Sequence, residues 1–249
     1  MSTTVLVTAS AGTFPGLAEA LRSIPVVVEE VPLMSFAPPL DWGPVDEAVG
    51  ALGRYAAVAF TSPRAALAFV ERVAVLTEGT RPAVWAAGPG TAQTLGDLLG
   101  PVRQPDELAV GEFGAAVALA KAMLGSGLAG RVLFPCGDRR RDELPARLRE
   151  GGLAVDEVVC YRSVLAGEFE ARRAVQRAQI VVVASPSVAD LLARACPPGA
   201  RPSLLAVGPT TAAAARASGW PPVGVATGPT TDALAAGVRA TLLTLPGGA

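Results

Sequence analysis

A loop written twice places the tightest constraint on what this chain can fold into. Phe60-Thr61-Ser62-Pro63-Arg64-Ala65-Ala66-Leu67 returns as Ala184-Ser185-Pro186-Ser187-Val188-Ala189-Asp190-Leu191. Ala87-Gly88-Pro89-Gly90-Thr91-Ala92 returns as Val207-Gly208-Pro209-Thr210-Thr211-Ala212. Ser62 and Ser185 are 123 residues apart, and Gly88 and Gly208 are 120 apart. Each copy follows an apolar run and precedes an Ala/Leu-rich helical pattern. That order puts small hydroxyl residues and unpaired backbone N–H groups at helix N-termini, where anions bind. Residues 1–127 and 128–249 read as two copies of one unit, with a ligand site expected between them. Gene duplication is the economical explanation, although degenerate α/β patterning can mimic part of such a likeness.

The rest of the pattern agrees. Strands are expected at Val5–Thr8, Pro25–Leu33, Ala57–Phe60, Ala83–Ala87, Val132–Phe134, Ala154–Val164, Ile180–Ala184, Leu204–Val207 and Val223–Ala226. Most are unbroken apolar runs, as in parallel strands covered on both faces. Helices are expected at Ala65–Leu76, Thr91–Leu99, Asp142–Glu150, Val188–Ala195, Thr211–Ser218 and Asp232–Leu243, which makes the chain α/β with crossover connections. Val26–Leu33 and Ala154–Val164 are longer and carry Glu29, Glu30, Asp156 and Glu157. Each has a wetter face and suits either an edge strand or a two-stranded connector. Pro38-Pro39 and Trp42-Gly43-Pro44 read as a linker, a fainter repeat relates Asp232-Ala233-Leu234 to Gly111–Ala116, and Pro246–Ala249 reads as a frayed tail.

Composition removes whole classes of chemistry. The chain has no histidine, which excludes Ser-His-Asp and Cys-His catalysis and the usual zinc sites. A P-loop and a dinucleotide fingerprint are both missing. A net charge of −1 gives no general attraction to nucleic acid or to an anionic membrane. Cys136, Cys160 and Cys196 have no metal-ligand spacing, and an odd count suits a reducing cytoplasm. No signal peptide is read at the N-terminus and no apolar stretch suits a membrane span. Lys121, the single lysine, sits mid-helix as a solvated surface residue. What remains is hydroxyls, backbone N–H groups, arginines, carboxylates and two tyrosines, groups that position a ligand more readily than they attack it.

The candidate site residues each have a plainer reading. Thr61, Ser62, Arg64, Ser185 and Ser187 stand where a strand meets a helix, as ligand-binding groups or as ordinary helix caps. Gly88, Gly90, Thr91, Gly208, Thr210 and Thr211 allow close backbone approach and add hydroxyls, or form capped turns. Within Gly137-Asp138-Arg139-Arg140-Arg141-Asp142-Glu143-Leu144, Arg141 is the candidate carboxylate partner, whereas arginine runs are commonly solvated surface. Tyr161 can give a hydrogen bond or proton to a departing hydroxyl, or can simply pack in its strand.

Taken in order, Thr61-Ser62-Pro63-Arg64-Ala65, Gly88 with Thr91, Gly137-Asp138 with Arg141, Cys160-Tyr161-Arg162, Ser185-Pro186-Ser187, Gly208-Pro209-Thr210-Thr211-Ala212 and Pro229-Thr230-Thr231-Asp232-Ala233-Leu234 resemble the uroporphyrinogen-III synthase family. The resemblance spans the chain and rests on the succession of motifs. Cys136 departs from it, since the family often has arginine there, and the loop before Leu144 is unusually rich in arginine.

The resemblance implies two similar parallel-sheet α/β domains joined by a two-stranded connector, with the N-terminal unit swapped into the domain of the C-terminal half. One domain would hold residues 1–35 and 166–249 and the other 40–155, with 36–39 and 156–165 as connector segments. It implies cofactor-free and metal-free cyclisation of hydroxymethylbilane, a linear tetrapyrrole with eight carboxylates, to uroporphyrinogen III. Water is lost and the last ring inverts through a spiro intermediate. Tyr161 would assist departure of the hydroxyl. Thr61, Ser62, Arg64, Gly88, Gly90, Thr91, Arg141, Ser185, Ser187, Gly208, Thr210, Thr211 and Thr230 would hold the substrate, and the two lobes would close around it. The implied enzyme is a cytoplasmic monomer that can receive its substrate from hydroxymethylbilane synthase. A non-catalytic module binding an anionic metabolite is the alternative from another class.

Overall fold

The computed structural model describes residues 2–10, 12–73, 82–99, 101–106 and 114–245. The elements run β1 (Thr3–Val7), α1 (Leu17–Ala20), β2 (Val26–Glu30), β3 (Met34–Ala37), α2 (Gly43–Gly50), β4 (Ala57–Phe60), α3 (Pro63–Val73), β5 (Ala83–Ala86), α4 (Pro89–Leu99), β6 (Val102–Arg103) and α5 (Gly114–Gly125). They continue with β7 (Arg131–Gly137), α6 (Glu143–Glu150), β8 (Ala154–Leu165), α7 (Glu168–Val175), β9 (Ile180–Val183), α8 (Pro186–Ala195), β10 (Ser203–Ala206), α9 (Pro209–Ala217), β11 (Gly224–Val225) and α10 (Thr231–Leu242). The chain divides into two compact units, residues 1–35 with 164–249 and residues 36–163. It passes from one to the other within β3 and again within β8, which are neighbouring strands.

In the first unit the order β11-β10-β9-β1-β2 makes a five-stranded parallel sheet. Val5 pairs with Ile180, so the N-terminal strand is completed by the C-terminal half of the chain. Successive strand side chains point to opposite faces. Leu6, Val181, Val183 and Leu204 therefore pack against α7, α8 and α9, whereas Val5, Val7, Ile180 and Val182 pack against α1 and α10. Residues buried on both faces explain why these strands read as unbroken apolar runs.

In the second unit the order is β3-β8-β7-β4-β5-β6. The pairs β8–β7, β7–β4, β4–β5 and β5–β6 are all parallel. Val58, Phe60, Val84 and Leu133 face α2, α3 and α4. Ala57, Ala59, Trp85, Val132 and Phe134 face α5 and α6. Two parallel α/β domains were the expected class, and that is what forms.

Three readings of the sequence change. The segment Val26–Leu33 is not one strand: β2 stops at Glu30, and Pro32, which has no N–H to donate, precedes the separate strand β3. β2 is thus one of the two edge strands of the five-stranded sheet. The supposed linker around Trp42 begins a helix instead. Asp41 Oδ1 accepts the Gly43 N–H at 2.8 Å, and Pro44 sits in the first turn of α2, where a missing N–H costs nothing. The strand expected at Val132–Phe134 is longer at both ends. Lys121 is exposed on α5. Residues 74–76 of the expected helix Ala65–Leu76, the first half of the faint Gly111–Ala116 repeat and the tail 246–249 lie outside the described residues.

Candidate active site

The helix starts show how much of the repeated loop is capping. Ser62 Oγ accepts the Ala65 N–H at 3.4 Å, a long bond that ties the start of α3 only weakly. Thr230 Oγ1 accepts the Ala233 N–H at 3.3 Å at the start of α10. Ser185 makes no such side-chain bond, although Pro186 occupies the first turn of α8. In α4 and α9 the carbonyls of Gly88 and Gly208 accept the N–H groups of Ala92 and Ala212, both at 3.0 Å. The N–H groups of Gly90, Thr91, Thr210 and Thr211 come before those ladders and can face a ligand. The side chains of Thr91 and Thr211 are buried, at 5% and 4% exposure, so the two loops offer backbone and not these hydroxyls. Ser185, Ser187, Gly208, Thr210, Thr211 and Thr230 all follow the carboxyl ends of β9, β10 and β11 in the first unit.

In the second unit the carboxyl ends of β4, β5 and β7 open into a cleft of about 320 Å³. Of the sequence candidates, Thr61, Ser62, Arg141 and Tyr161 line it together. Crevices at the carboxyl ends of parallel strands are where open α/β sheets hold ligands. Phe134, Cys136 and Leu144 supply apolar walls. Arg64 is not among the lining groups; its guanidinium lies 3.7 Å from the centroid of the Phe36 ring.

Tyr161 is held by Gly137, Asp138 and Phe36. Opposite it, β7 and β8 slip register: Cys136 pairs with Val159 and Gly137 with Tyr161, so Cys160 is the extra residue of a bulge. A bulge re-aims the side chains beyond it. The Asp138 N–H donates to the Tyr161 carbonyl at 3.0 Å. Asp138 Oδ1 accepts the Ser163 N–H at 2.8 Å, which secures the strand just past the tyrosine. Phe36 meets the Tyr161 ring edge-on, with centroids 5.7 Å apart and planes at 77°. Such an edge contact contributes about 0.5–1.5 kcal/mol beyond area burial, and an exposed cation–π contact of the Arg64–Phe36 kind about 0.5–1. Each is comparable to or larger than thermal energy, enough to bias the phenol toward one position.

The arginines divide their work. Arg140 forms ion pairs with Glu157 and with Asp142, and Arg149 reaches Glu157 at 2.6 Å. Arg141 is exposed at the cleft. Burial, helped by the Glu157 charge, pushes the Cys136 thiol up to about 12, so it stays neutral. Where the family often has a cation, this cleft has an uncharged thiol.

Sequence reasoning assigned no site role to three groups. Gly137 lines the cleft beneath the tyrosine, Phe36 positions that ring, and Glu143 lines the cleft with its Oε2 buried and without a hydrogen-bond partner. Gly137 stood in the motif Gly137-Asp138 without a role, and Glu143 left a signal as an acid in the first turn of a helix after a parallel strand. That position ordinarily reads as dipole compensation. Among the described residues no group of three or more His, Cys, Asp or Glu side chains could hold a metal ion. No helix among them is long and apolar enough to cross a membrane.

Residues 16–236 match the family model described as uroporphyrinogen-III synthase HemD. A mutant uroporphyrinogen III synthase from the extremely thermophilic bacterium Thermus thermophilus superposes with a TM-score of 0.64 at 16% identity, covering 98% of this chain and 100% of that one. Uroporphyrinogen-III synthetase from Helicobacter pylori gives 0.65 at 18% identity, covering 97% and 100%. At such identities the likeness is one of fold. No curated protein sequence matches the chain.

Proposed function

Because the chain belongs to the uroporphyrinogen-III synthase family, we propose that it acts as a hydro-lyase, cyclising hydroxymethylbilane to uroporphyrinogen III with loss of water and inversion of the last ring. The observation that carries this reading is the cleft at the ends of β4, β5 and β7, where Tyr161 meets Thr61, Ser62 and Arg141. The substrate is an extended polyanion, and hydroxyls, first-turn N–H groups and an arginine are the donors that carboxylates require.

The chemistry asks for one assisted departure and one controlled attack. Tyr161 gives a proton to the leaving hydroxyl, which departs as water with the electron pair of the C–O bond. The resulting electrophile is attacked by the substituted carbon of the last ring, which makes the spiro intermediate, and its rearrangement gives the inverted ring. Unaided, the unsubstituted carbon reacts and isomer I results. The enzyme's contribution is therefore largely orientation. Thr61, Ser62, Gly88, Gly90, Thr91 and Arg141 would anchor acetate and propionate groups. Ser185, Ser187, Gly208, Thr210, Thr211 and Thr230 offer the same donor chemistry, and Arg64 adds a cation behind Phe36. No cofactor is required by these steps. Three unpaired buried thiols suit a cytoplasmic enzyme, and we read it as a monomer supplied by hydroxymethylbilane synthase.

Freshly generated hydroxymethylbilane, incubated with the protein and then oxidised, is separated into porphyrin isomers. An excess of isomer III over a protein-free control supports the reading. Isomer I alone, at the control rate and from folded protein, overturns it in favour of a binding module.

A further inference from the structure

Arg64 stands where a cation is at a disadvantage. It is the second residue of α3, and the first turn of a helix carries partial positive charge, which repels a guanidinium. Among the described residues no carboxylate offsets that repulsion. Thr61 and Ser62, just before it in the chain, line the cleft, yet Arg64 does not. What it meets is an aromatic face: its guanidinium lies 3.7 Å from the centroid of the Phe36 ring. That ring in turn meets Tyr161 edge-on. The strand order explains the juxtaposition, because β8, which carries Tyr161, runs between β3 and β7. Each flanking strand supplies one contact to the phenol: β7 the close backbone of Gly137, β3 the side chain of Phe36. Phe36 is only half-buried. A side chain so exposed keeps alternative rotamers open unless something holds it, and a cation on its face does so.

We propose that Arg64 is a positioning residue: by holding Phe36 it keeps the Tyr161 hydroxyl in place for proton transfer, without touching the substrate. The inference rests on the function proposed above and gives Arg64 a task different from that of the anchoring donors. A phenol protonates a leaving hydroxyl only from hydrogen-bond reach, about 2.6–3.2 Å between the oxygens. A displacement of about 1 Å can cost about 10²-fold in rate. Arg64 and Phe36 together raise the fraction of complexes in which the phenol stands within that reach. Such a restraint acts on kcat. It leaves substrate affinity nearly untouched, because no substrate carboxylate is part of it. A guanidinium that anchored an acetate or propionate would act the other way, on KM first.

The test is steady-state kinetics with isomer analysis on the full chain carrying Arg64→Gln or Phe36→Leu, each alone and combined with Tyr161→Phe. Arg64→Gln is expected to lower kcat for isomer III about two- to fivefold, the fold-change that an exposed cation–π contact represents, with KM little changed. Arg64→Lys, which keeps a cation for the ring face, should recover part of that loss. Phe36→Leu removes both ring contacts and should cost at least about fivefold, with a thermal melt to separate that loss from misfolding. In the Tyr161→Phe background no proton remains to be positioned, so adding Arg64→Gln should change kcat less than about 1.5-fold. An equal loss in that background overturns the proposal, as does an unchanged kcat in Arg64→Gln alone. A KM raised at least about threefold in both backgrounds also overturns it and sets Arg64 on a substrate carboxylate. A fully active Tyr161→Phe overturns it too, while isomer III from wild type keeps the functional reading. Were wild type to give isomer I alone, the functional reading would fall and this inference with it.

Discussion

A Cβ placed on Gly137 would lie 2.5 Å from Cζ of Tyr161 and 2.7 Å from its hydroxyl oxygen. The phenol ring thus occupies the space that any side chain at residue 137 would need. The glycine serves here for close approach, in a strand whose partner is bulged.

Gly137→Ala should therefore act on the tyrosine before it acts on the fold. The atoms it would strike are the far end of a side chain, which can swing away at modest cost. Turnover to isomer III is expected to fall at least about tenfold, whereas most point mutants away from a packing defect cost only about 1 kcal/mol of stability. Kinetics beside a thermal melt check this. Unchanged kcat in Gly137→Ala would mean that the ring position is immaterial.

Tyr161→Phe keeps the ring against Phe36 and over Gly137 but removes the proton. If the phenol protonates the departing hydroxyl, kcat should drop by about 10²-fold, in the usual range for general acid catalysis, with KM little changed. Full activity would leave Tyr161 a packing residue.

The three cysteines should be inert while the protein is folded. Cys136 and Cys160 are pushed up to about 12 by burial, and Cys196 is raised for the same reason. A chromogenic disulfide at pH 8 is expected to titrate none of them within minutes and all three after denaturation. Below the ordinary thiol value of 9.0 both folded and unfolded chains hold these protons, so no pH dependence arises. Between 9.0 and about 12 only the unfolded thiols ionise, and stability should fall as pH rises through that window.

An ion pair on the second unit should show the opposite sign. Arg72 donates to both carboxylate oxygens of Asp46 at 2.5 Å, and that hydrogen bonding lowers the Asp46 carboxyl below its ordinary 3.8. A depressed folded value stabilises the protein above the ordinary one and is lost as pH falls through it. The difference in melting temperature between wild type and Asp46→Asn, present at pH 7, should close as pH falls below the ordinary 3.8 and through the lowered value. Both groups are well exposed, so the difference should also be small.

Much of this protein was legible in local pattern. Ala57–Phe60 reads as a fully buried strand because four apolar residues in a row suit a sheet covered on both faces, and β4 has those bounds and that burial. Ser62-Pro63 and Ser185-Pro186 announce helix starts because a proline loses nothing in a first turn. The strand–loop–helix order, and with it the clustering of Thr61 and Ser62 at a carboxyl end, follows from the same signals. Other features left only weak local traces. Pro32 hinted at the break between β2 and β3, but the two strands were legible only once β3 had found β8. The helix α2 begins with Gly43-Pro44 and ends at Gly50, residues that read as breakers out of context.

By itself, then, the amino-acid sequence determined most of the buried strands and the helices that follow them, which catalytic chemistries are excluded and which family's motifs the chain carries. These depend on residues within a few positions of one another. Tertiary structure alone decided that β1 pairs with β9, with Val5 opposite Ile180, and that Phe36, Gly137 and Tyr161 share one small volume. It alone set Arg64 on Phe36 and brought Thr61, Ser62, Arg141 and Tyr161 to one cleft. The physical reason is distance along the chain: periodicity and capping act over a turn or a pleat, whereas strand order, register and side-chain contact are settled by residues tens to hundreds of positions apart.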